Sequence, residues 1–436
     1  MDVELTERLL QFIWQFQYFN KNELCTSAGE KLTILAQGQL NRNQGPDFTD
    51  AKIIVDGTTW AGTIELHIKT TDWIRHRHQD DKNYRTVILH VVWEDDLSSV
   101  ANGNTNLKAM EAVPLMELSP RVPKVLLQRY EELMQSRNFI PCDKNLQLVQ
   151  DITWQSWKDR LLAERLMRKS LVVEECLRQN NYHWEETFWW LLAKNFGTKV
   201  NGDAFEAIAR SLPLTLLAKH KHQVHQLEAL LLGQGGMLNS EFEEHYPKLL
   251  QREYLFLQAK YQLHPVPVTL HLLRMRPGNF PAVRLAELAM LVNGSAHLFS
   301  KIREAATTSL IRQYFNVTAN DYWHYHYQLD ELSVFKPKKI GESMIDNILI
   351  NTVAPVLFAY GSYLNDTTYK DKALLCLEQV RAEQNQVTTQ FMSLAVQNHT
   401  ARDSQALIEL KHNYCDKRKC LECAIGNAIL KRAEAC

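Results

Sequence analysis

The sequence has no excess of charge of either sign: 49 Lys and Arg face 50 Asp and Glu over 436 residues, a formal net charge of −1. That balance excludes a nucleic-acid-binding field spread over the whole surface, so any contact with DNA or RNA must use local basic patches. Long apolar runs are also missing. No stretch reaches the roughly 18 residues of a membrane span, the nearest candidates being broken by charges such as Arg284 and Glu287, and no membrane partner is expected. The first residues are acidic and amphipathic, without the basic start and cleavage site of a secretory signal, which points to the cytoplasm. Neither a fixed-period repeat nor a low-complexity tract is present.

In a reducing compartment, eight cysteines are not expected to form four disulfides, and a cluster of them points to metal binding or burial. Four of the eight fall between Cys415 and Cys436. A length of 436 residues exceeds the roughly 250 to 300 at which a single core stops growing, so at least two domains are expected.

The pattern along the chain changes once. Leu5, Leu9, Phe12, Ile13 and Phe16 recur at helical spacing, and four strand-like segments follow: Lys31 to Gln37, Ala51 to Val55, Trp60 to Lys69 and Thr86 to Trp93. Asp72 to Tyr84 is polar enough for a loop or a short surface helix. After Pro120 the apolar period is near 3.6 almost to the end, broken at Gly and Pro positions. The expected fold class is α+β, with a mixed-sheet α/β domain over residues 1–135 and a mainly α-helical domain over residues 136–436 that ends in the Cys-rich segment.

The chemistry concentrates between Asn41 and His90. Asp47 follows a Gly-Pro turn directly before a strand, and Glu65, His67 and Lys69 share one face of another, with Ile64, Leu66 and Ile68 on the opposite, core-facing side. Acids in apolar strands are costly unless paired or ligated. Two carboxylates on neighbouring strands can share Mg²⁺ or Mn²⁺, with His67 or Lys69 supplying charge or proton transfer. Four histidines, His67, His76, His78 and His90, stand in the same segment beside Asp72, Asp80 and Asp81. Two readings stay open for them: a metal or phosphate site at the mouth of the strands, or a solvated polar surface at His76 and His78 with a core histidine at His90.

The order of helix, strand, strand with PD at 46–47, strand with Glu65-x-His67, polar segment and strand resembles the PD-(D/E)XK, or restriction-endonuclease-like, nucleases from about Leu5 to Trp93. The resemblance implies Asp47 and Glu65 as metal-binding acids, a further acid at Glu4 or Glu7 on the first helix, and Gln79 and Tyr84 as counterparts of a following Gln and Tyr. It departs at His67, where that family carries Lys; Lys69 is one alternation away. A Lys moved to 69, an altered metal site and an inactive nuclease fold are three ways to read the departure.

At the other end, Cys415, Cys420 and Cys423 form C-x4-C-x2-C, the tight bite of zinc and iron-sulfur sites. His412 would complete a set favouring zinc; Cys142, Cys376 or Cys436 arriving from elsewhere would suit zinc or an iron-sulfur cluster. Nearby Lys417, Arg418, Lys419, Lys431 and Arg432 would suit a phosphate-facing site. In the helical middle, Arg274, Arg276 and Arg284 flank two prolines and Phe280, either as a nucleic-acid contact or as a helix connection tied down by Asn279 and the arginines. His324 and His326 alternate within an aromatic stretch, a weak metal pattern against aromatic packing.

The segments NQGPDFTDAKI, GTIELHIKTTDWIRHRH, VILHVVWEDD, RMRPGNFP and YCDKRKCLECAIG resemble an uncharacterised bacterial family of unknown function, which implies no activity. Taken together, the sequence points to a metal-dependent nuclease or a nuclease-derived nucleic-acid-binding protein. The alternatives are a noncatalytic scaffold with a structural zinc, and a His/carboxylate metal hydrolase of a small molecule built on His67, His76, His78 and His90.

Overall fold

The computed structural model describes residues 5–97, 113–272, 277–295 and 297–431. Helix α1 spans Glu7–Phe16 and is capped by Thr6, whose side chain accepts the Leu9 N–H at 3.2 Å. Its apolar stripe buries Leu9, Leu10, Phe12, Ile13 and Trp14, and Gln17 ends it in the left-handed region at φ 54°.

Six strands form the sheet: β1 (Leu32–Ala36), β2 (Gln39–Leu40), β3 (Phe48–Val55), β4 (Thr58–Lys69), β5 (Val87–Glu94) and β6 (Leu115–Glu117). Their order is β1-β3-β4-β5-β6, with β2 also paired to β3. The β1, β3 and β4 neighbours run antiparallel, whereas β5 lies parallel to β4 and β6 parallel to β5. This mixed sheet followed by a large helical part is the architecture expected from the sequence. The β3–β4 hairpin turns on Asp56 and Gly57, both at positive φ (48° and 83°), the type I′ geometry that an Asp-Gly pair favours.

Helix α1 packs against β4, covering the face that carries Ile64 and Leu66. The opposite face is buried as well: Glu65 is 6% and His67 1% exposed. The reason lies in residues 70–86, which fold over the sheet instead of standing on the surface. Helix α2 (Asp72–Arg75) opens this cover, with the Asp72 carboxylate accepting the Lys69 N–H at 3.0 Å. Thr70 Oγ1 donates to Asp95 Oδ1 (2.9 Å) and Thr71 Oγ1 to Asp96 Oδ2 (2.8 Å), pinning the corner to the end of β5.

The chain divides into two compact units, Met1–Lys158 with Glu409–Cys436, and Asp159–Ile408. The boundary read from the sequence at 135/136 falls inside the first unit, and the Cys-rich segment belongs with the sheet. Tyr18 Oη donates to Asn427 Oδ1 (2.7 Å) and Arg129 Nη1 to the Ile429 carbonyl (3.0 Å), tying the chain's last helix, Ala424–Lys431, to the N-terminal part of the same unit.

Among its described residues the second unit has helices and a small hairpin of His326–Gln328 and Glu331–Leu332. Helices Trp184–Phe196 and Thr198–Ser211 pack together and bury Phe188, Trp189, Phe196 and Phe205, so the aromatic face there is core. Val224–Gln234 packs on His245–Tyr261 at Gly233, where a Cβ would stand 2.1 Å from the Tyr254 ring. Among the described residues one stretch, Glu342–Leu364, is long and apolar enough to cross a membrane by length and composition, and 78% of its apolar window is buried within the protein, as in a core helix.

Candidate metal centre

β4 delivers Glu65 and His67 to its covered face, and the parallel register sets His90 of β5 beside Glu65. The cover supplies the rest. After α2, Arg77 takes a left-handed φ of 59°, so the chain doubles back and His76 and His78 both face His67. Asp81 caps the next short 3-10 turn, Lys82–Thr86, through the Asn83 N–H, and Tyr84 from that turn stacks on His78 at 3.8 Å between ring centres.

His67 Nε2 stands 3.2 Å from His76 Nδ1 and 3.2 Å from His78 Nε2. Glu65 Oε1 is 3.4 Å from His78 Nε2 and 3.6 Å from His67 Nε2. Three imidazole nitrogens and a carboxyl oxygen have little reason to converge in this way for hydrogen bonding alone, because two facing ring nitrogens need one proton between them. The two 3.2 Å separations from His67 Nε2 are of the size expected for ligands on one ion: metal–nitrogen bonds of about 2.0–2.1 Å give tetrahedral edges of about 3.3 Å. Among the described residues, His67, His76 and His78 are the group whose donor atoms all lie within 4.8 Å of one another.

The surroundings set protonation. Burial is the largest cause lowering His67 to about 2, His78 to about 4 and His90 to about 3, with the other histidines adding to it. All three are therefore neutral near pH 7, the form that ligates metal. His67 Nδ1 lies 2.8 Å from His90 Nε2; if His67 donates there, its Nε2 lone pair is left facing His76 and His78.

Glu65 is pushed up to about 9, first by burial and then by the neighbouring Asp47 charge. Asp47 is pushed up to about 6 by burial, against the opposing pull of the Leu66 N–H and the Gln11 amide. Leu66 N donates to Asp47 Oδ2 at 3.0 Å and Gln11 Nε2 to Oδ1 at 2.7 Å. The Asp47 N–H in turn donates to Glu65 Oε2 at 3.0 Å. Asp47 and Glu65 are thus brought together, and the helix α1 residue that touches them is Gln11. Glu7 adds only repulsion, and Glu4 lies outside the described residues.

The other sequence candidates fall as follows. Lys69 sits exposed at the end of β4, two residues beyond His67. Tyr84 is at the site through His78; Gln79 bonds its neighbour Asp80 at 3.3 Å. Arg274 and Arg276 lie outside the described residues, while Arg284 is buried, ion-paired with Glu287 (2.7 Å) and bonded to Asn279 (2.6 Å), as in a helix connection. His326 is occupied by the Tyr322 carbonyl and Glu244. His412 is exposed, bonded to Asp416 at 3.1 Å, and does not line the pocket that holds the cysteines. Of the basic residues beside them, Arg418 is bound to the Leu133 and Ser136 carbonyls and Lys419 to Glu422. Sequence reasoning passed over Gln11 and left His76 and His78 open between a metal site and a solvated surface; Glu-x-His at 65–67 followed by His-x-His at 76–78 was the available signal.

A family model described as "Protein of unknown function (DUF2851)" matches residues 7–386. The chain belongs to the DUF2851 family. The matched span contains every residue of the histidine site and Cys142, and ends before Cys415. No curated protein and no solved structure matches the chain.

Proposed function

We propose that this protein is a metal-dependent hydrolase whose ion is held by His67, His76 and His78, with Glu65 beside it. The convergence of three imidazole nitrogens on one point, at 3.2 Å from His67 Nε2 to each of the other two, carries the reading. Three nitrogen donors and a carboxylate suit a first-row ion such as Zn²⁺, Mn²⁺ or Fe²⁺ better than Mg²⁺, which prefers oxygen. Such an ion supplies Lewis acidity and lowers the pKa of water. His90 orients His67, Tyr84 braces His78, and Glu65 is placed to take the proton of an attacking water once a cation has lowered its pKa. His76 is exposed, which leaves an approach from solvent. Exposed Arg77, Lys82 and Arg85 on the same cover favour an anionic substrate, a phosphodiester.

A second reading has one observation in its favour. Asp47 and Glu65 are adjacent through the 3.0 Å bond from Asp47 N to Glu65 Oε2, which supports a nuclease-type site for Mg²⁺ or Mn²⁺ on the two acids. The readings part on metal and residue dependence. Purified protein is assayed on bis(p-nitrophenyl) phosphate, DNA and RNA with Zn²⁺, Mn²⁺ or Mg²⁺. Hydrolysis with Zn²⁺ or Mn²⁺ that His76→Ala and His78→Ala abolish supports the histidine centre. Mg²⁺-dependent cleavage that survives both substitutions and fails in Asp47→Ala moves the assignment to the acid pair. Bound metal without hydrolysis of any of the three makes the centre structural, as in a scaffold.

A further inference from the structure

A second constellation lies in the same unit, away from the histidines. Cys142, Cys415, Cys420 and Cys423 line one pocket together with Trp154 and Tyr414. They come from distant parts of the sequence: Cys142 follows Pro141, whereas the other three stand within the last segment. All four are free thiols, and three of them are buried.

The backbone is shaped to bring them there. Lys411–Cys415 is a π-helical turn, a wide turn that recurs at functional sites, and it ends on Cys415. Arg418 then adopts a left-handed φ of 50°, and its guanidinium donates to the Leu133 and Ser136 carbonyls, clamping the loop. Cys420 opens a short 3-10 turn, and Cys423 directly precedes the helix Ala424–Lys431. Gly426 has no room for a side chain, since a Cβ would stand 2.2 Å from the Cys420 carbonyl oxygen. The Cys423 sulfur faces the Ile425 and Gly426 N–H groups and the Trp157 side chain. N–H groups aimed at a sulfur stabilise a thiolate, and they tune metal-thiolate centres.

We propose that Cys142, Cys415, Cys420 and Cys423 form a four-thiolate site for a thiophilic metal centre, a zinc ion or an iron-sulfur cluster. Cys142 is the fourth ligand in place of His412. Packing alone accounts poorly for four thiols around one pocket when the chain's other described cysteines, Cys25, Cys176 and Cys376, lie outside it. Zinc at about 2.3 Å from each sulfur needs sulfurs about 3.8 Å apart, and a cluster spreads them more widely. Among the described residues no three of the cysteine sulfurs lie within 4.8 Å of one another as the three histidine donors do, which favours the wider group.

The test uses the full-length chain carrying His67→Ala and His76→Ala, so that the histidine centre contributes no metal. It is purified without oxygen or added metal. One zinc per chain, or iron with matching acid-labile sulfide and visible absorption, is expected, with X-ray absorption showing sulfur ligands only. Cys142→Ser should lose the metal and His412→Ala should keep it. Should Cys142→Ser fail to fold, the ligand set from X-ray absorption decides. Metal-free protein, nitrogen ligands, or metal retained in folded Cys142→Ser overturns the proposal.

Discussion

His67 Nδ1 and His90 Nε2 stand 2.8 Å apart, both rings almost wholly inside the protein, on neighbouring parallel strands. One of the two nitrogens must carry the proton. If it is His67, its other nitrogen is free to bind a cation, and His90 acts by fixing that tautomer.

His90→Phe keeps the ring and removes the acceptor. Zinc or manganese affinity, read by competition with a chromophoric chelator, should fall by roughly 10–100-fold, the usual effect of losing an outer-shell partner. Unchanged affinity would reduce His90 to a packing residue.

Metal binding should also stabilise the first unit. At about 100 times the dissociation constant, linkage adds about 2.7 kcal/mol, visible as a raised unfolding temperature in calorimetry. His76→Ala should remove the metal-dependent increment while leaving the metal-free transition nearly in place, because His76 is exposed. A retained increment would remove His76 from the ligand set.

Gly62 lies where β4 meets the start of β5, and a Cβ there would stand 2.4 Å from the Thr86 carbonyl oxygen and 2.6 Å from Ile88 Cγ2. Gly62→Ala should push the strands apart just before the Glu65–His90 register. Overpacking of this kind costs about 1–3 kcal/mol, and metal affinity should fall with stability. Denaturant unfolding and the chelator titration measure both.

In the second unit, Glu228 is fully buried and accepts from Tyr246 Oη (2.9 Å), Trp323 Nε1 (3.0 Å) and Asn320 Nδ2 (2.6 Å). Burial outweighs these donors and raises its pKa from 4.5 to about 7. The folded state therefore holds a proton that the unfolded chain has released between these values. Its contribution is complete below about pH 4.5 and is lost as pH rises through about 7, amounting to a few kcal/mol at most. Glu228→Gln should flatten that part of the stability profile in urea titrations from pH 4.5 to 8; an unaltered slope would assign it to other groups.

Much of the sheet was legible because alternation and helical spacing are local properties. Trp60 to Lys69 and Thr86 to Trp93 read as strands and became β4 and β5 within two residues. The pairing of Asp47 with Glu65 was legible too, since acids among Ile, Val and Leu demand partners. The four histidines were legible as a candidate set, but the geometry of their convergence was not. It depends on the left-handed turn at Arg77 and on the parallel register between β4 and β5, neither of which a one-dimensional pattern specifies. Polarity assigned Asp72 to Tyr84 to the surface, yet Trp73 and the Asp72 carboxylate anchor that segment over the sheet. At the end of the chain the three clustered cysteines were plain, but the pocket they share with Cys142 depends on tertiary contacts such as those of Arg418 with Leu133 and Ser136.

The first unit is discontinuous, its sheet made early and its last helix late, with Asp159–Ile408 between them in the sequence. During synthesis from the N-terminus, the sheet and the four histidines can leave the ribosome long before Ile425, Ile429 and Leu430 exist to close the same core. The whole helical unit is translated in that interval, between Cys142 and the three cysteines that share its pocket. A ribosome that stalls within Asp159–Ile408 therefore leaves a nascent chain with His67, His76, His78 and His90 but with an unsealed apolar flank, a natural substrate for chaperones.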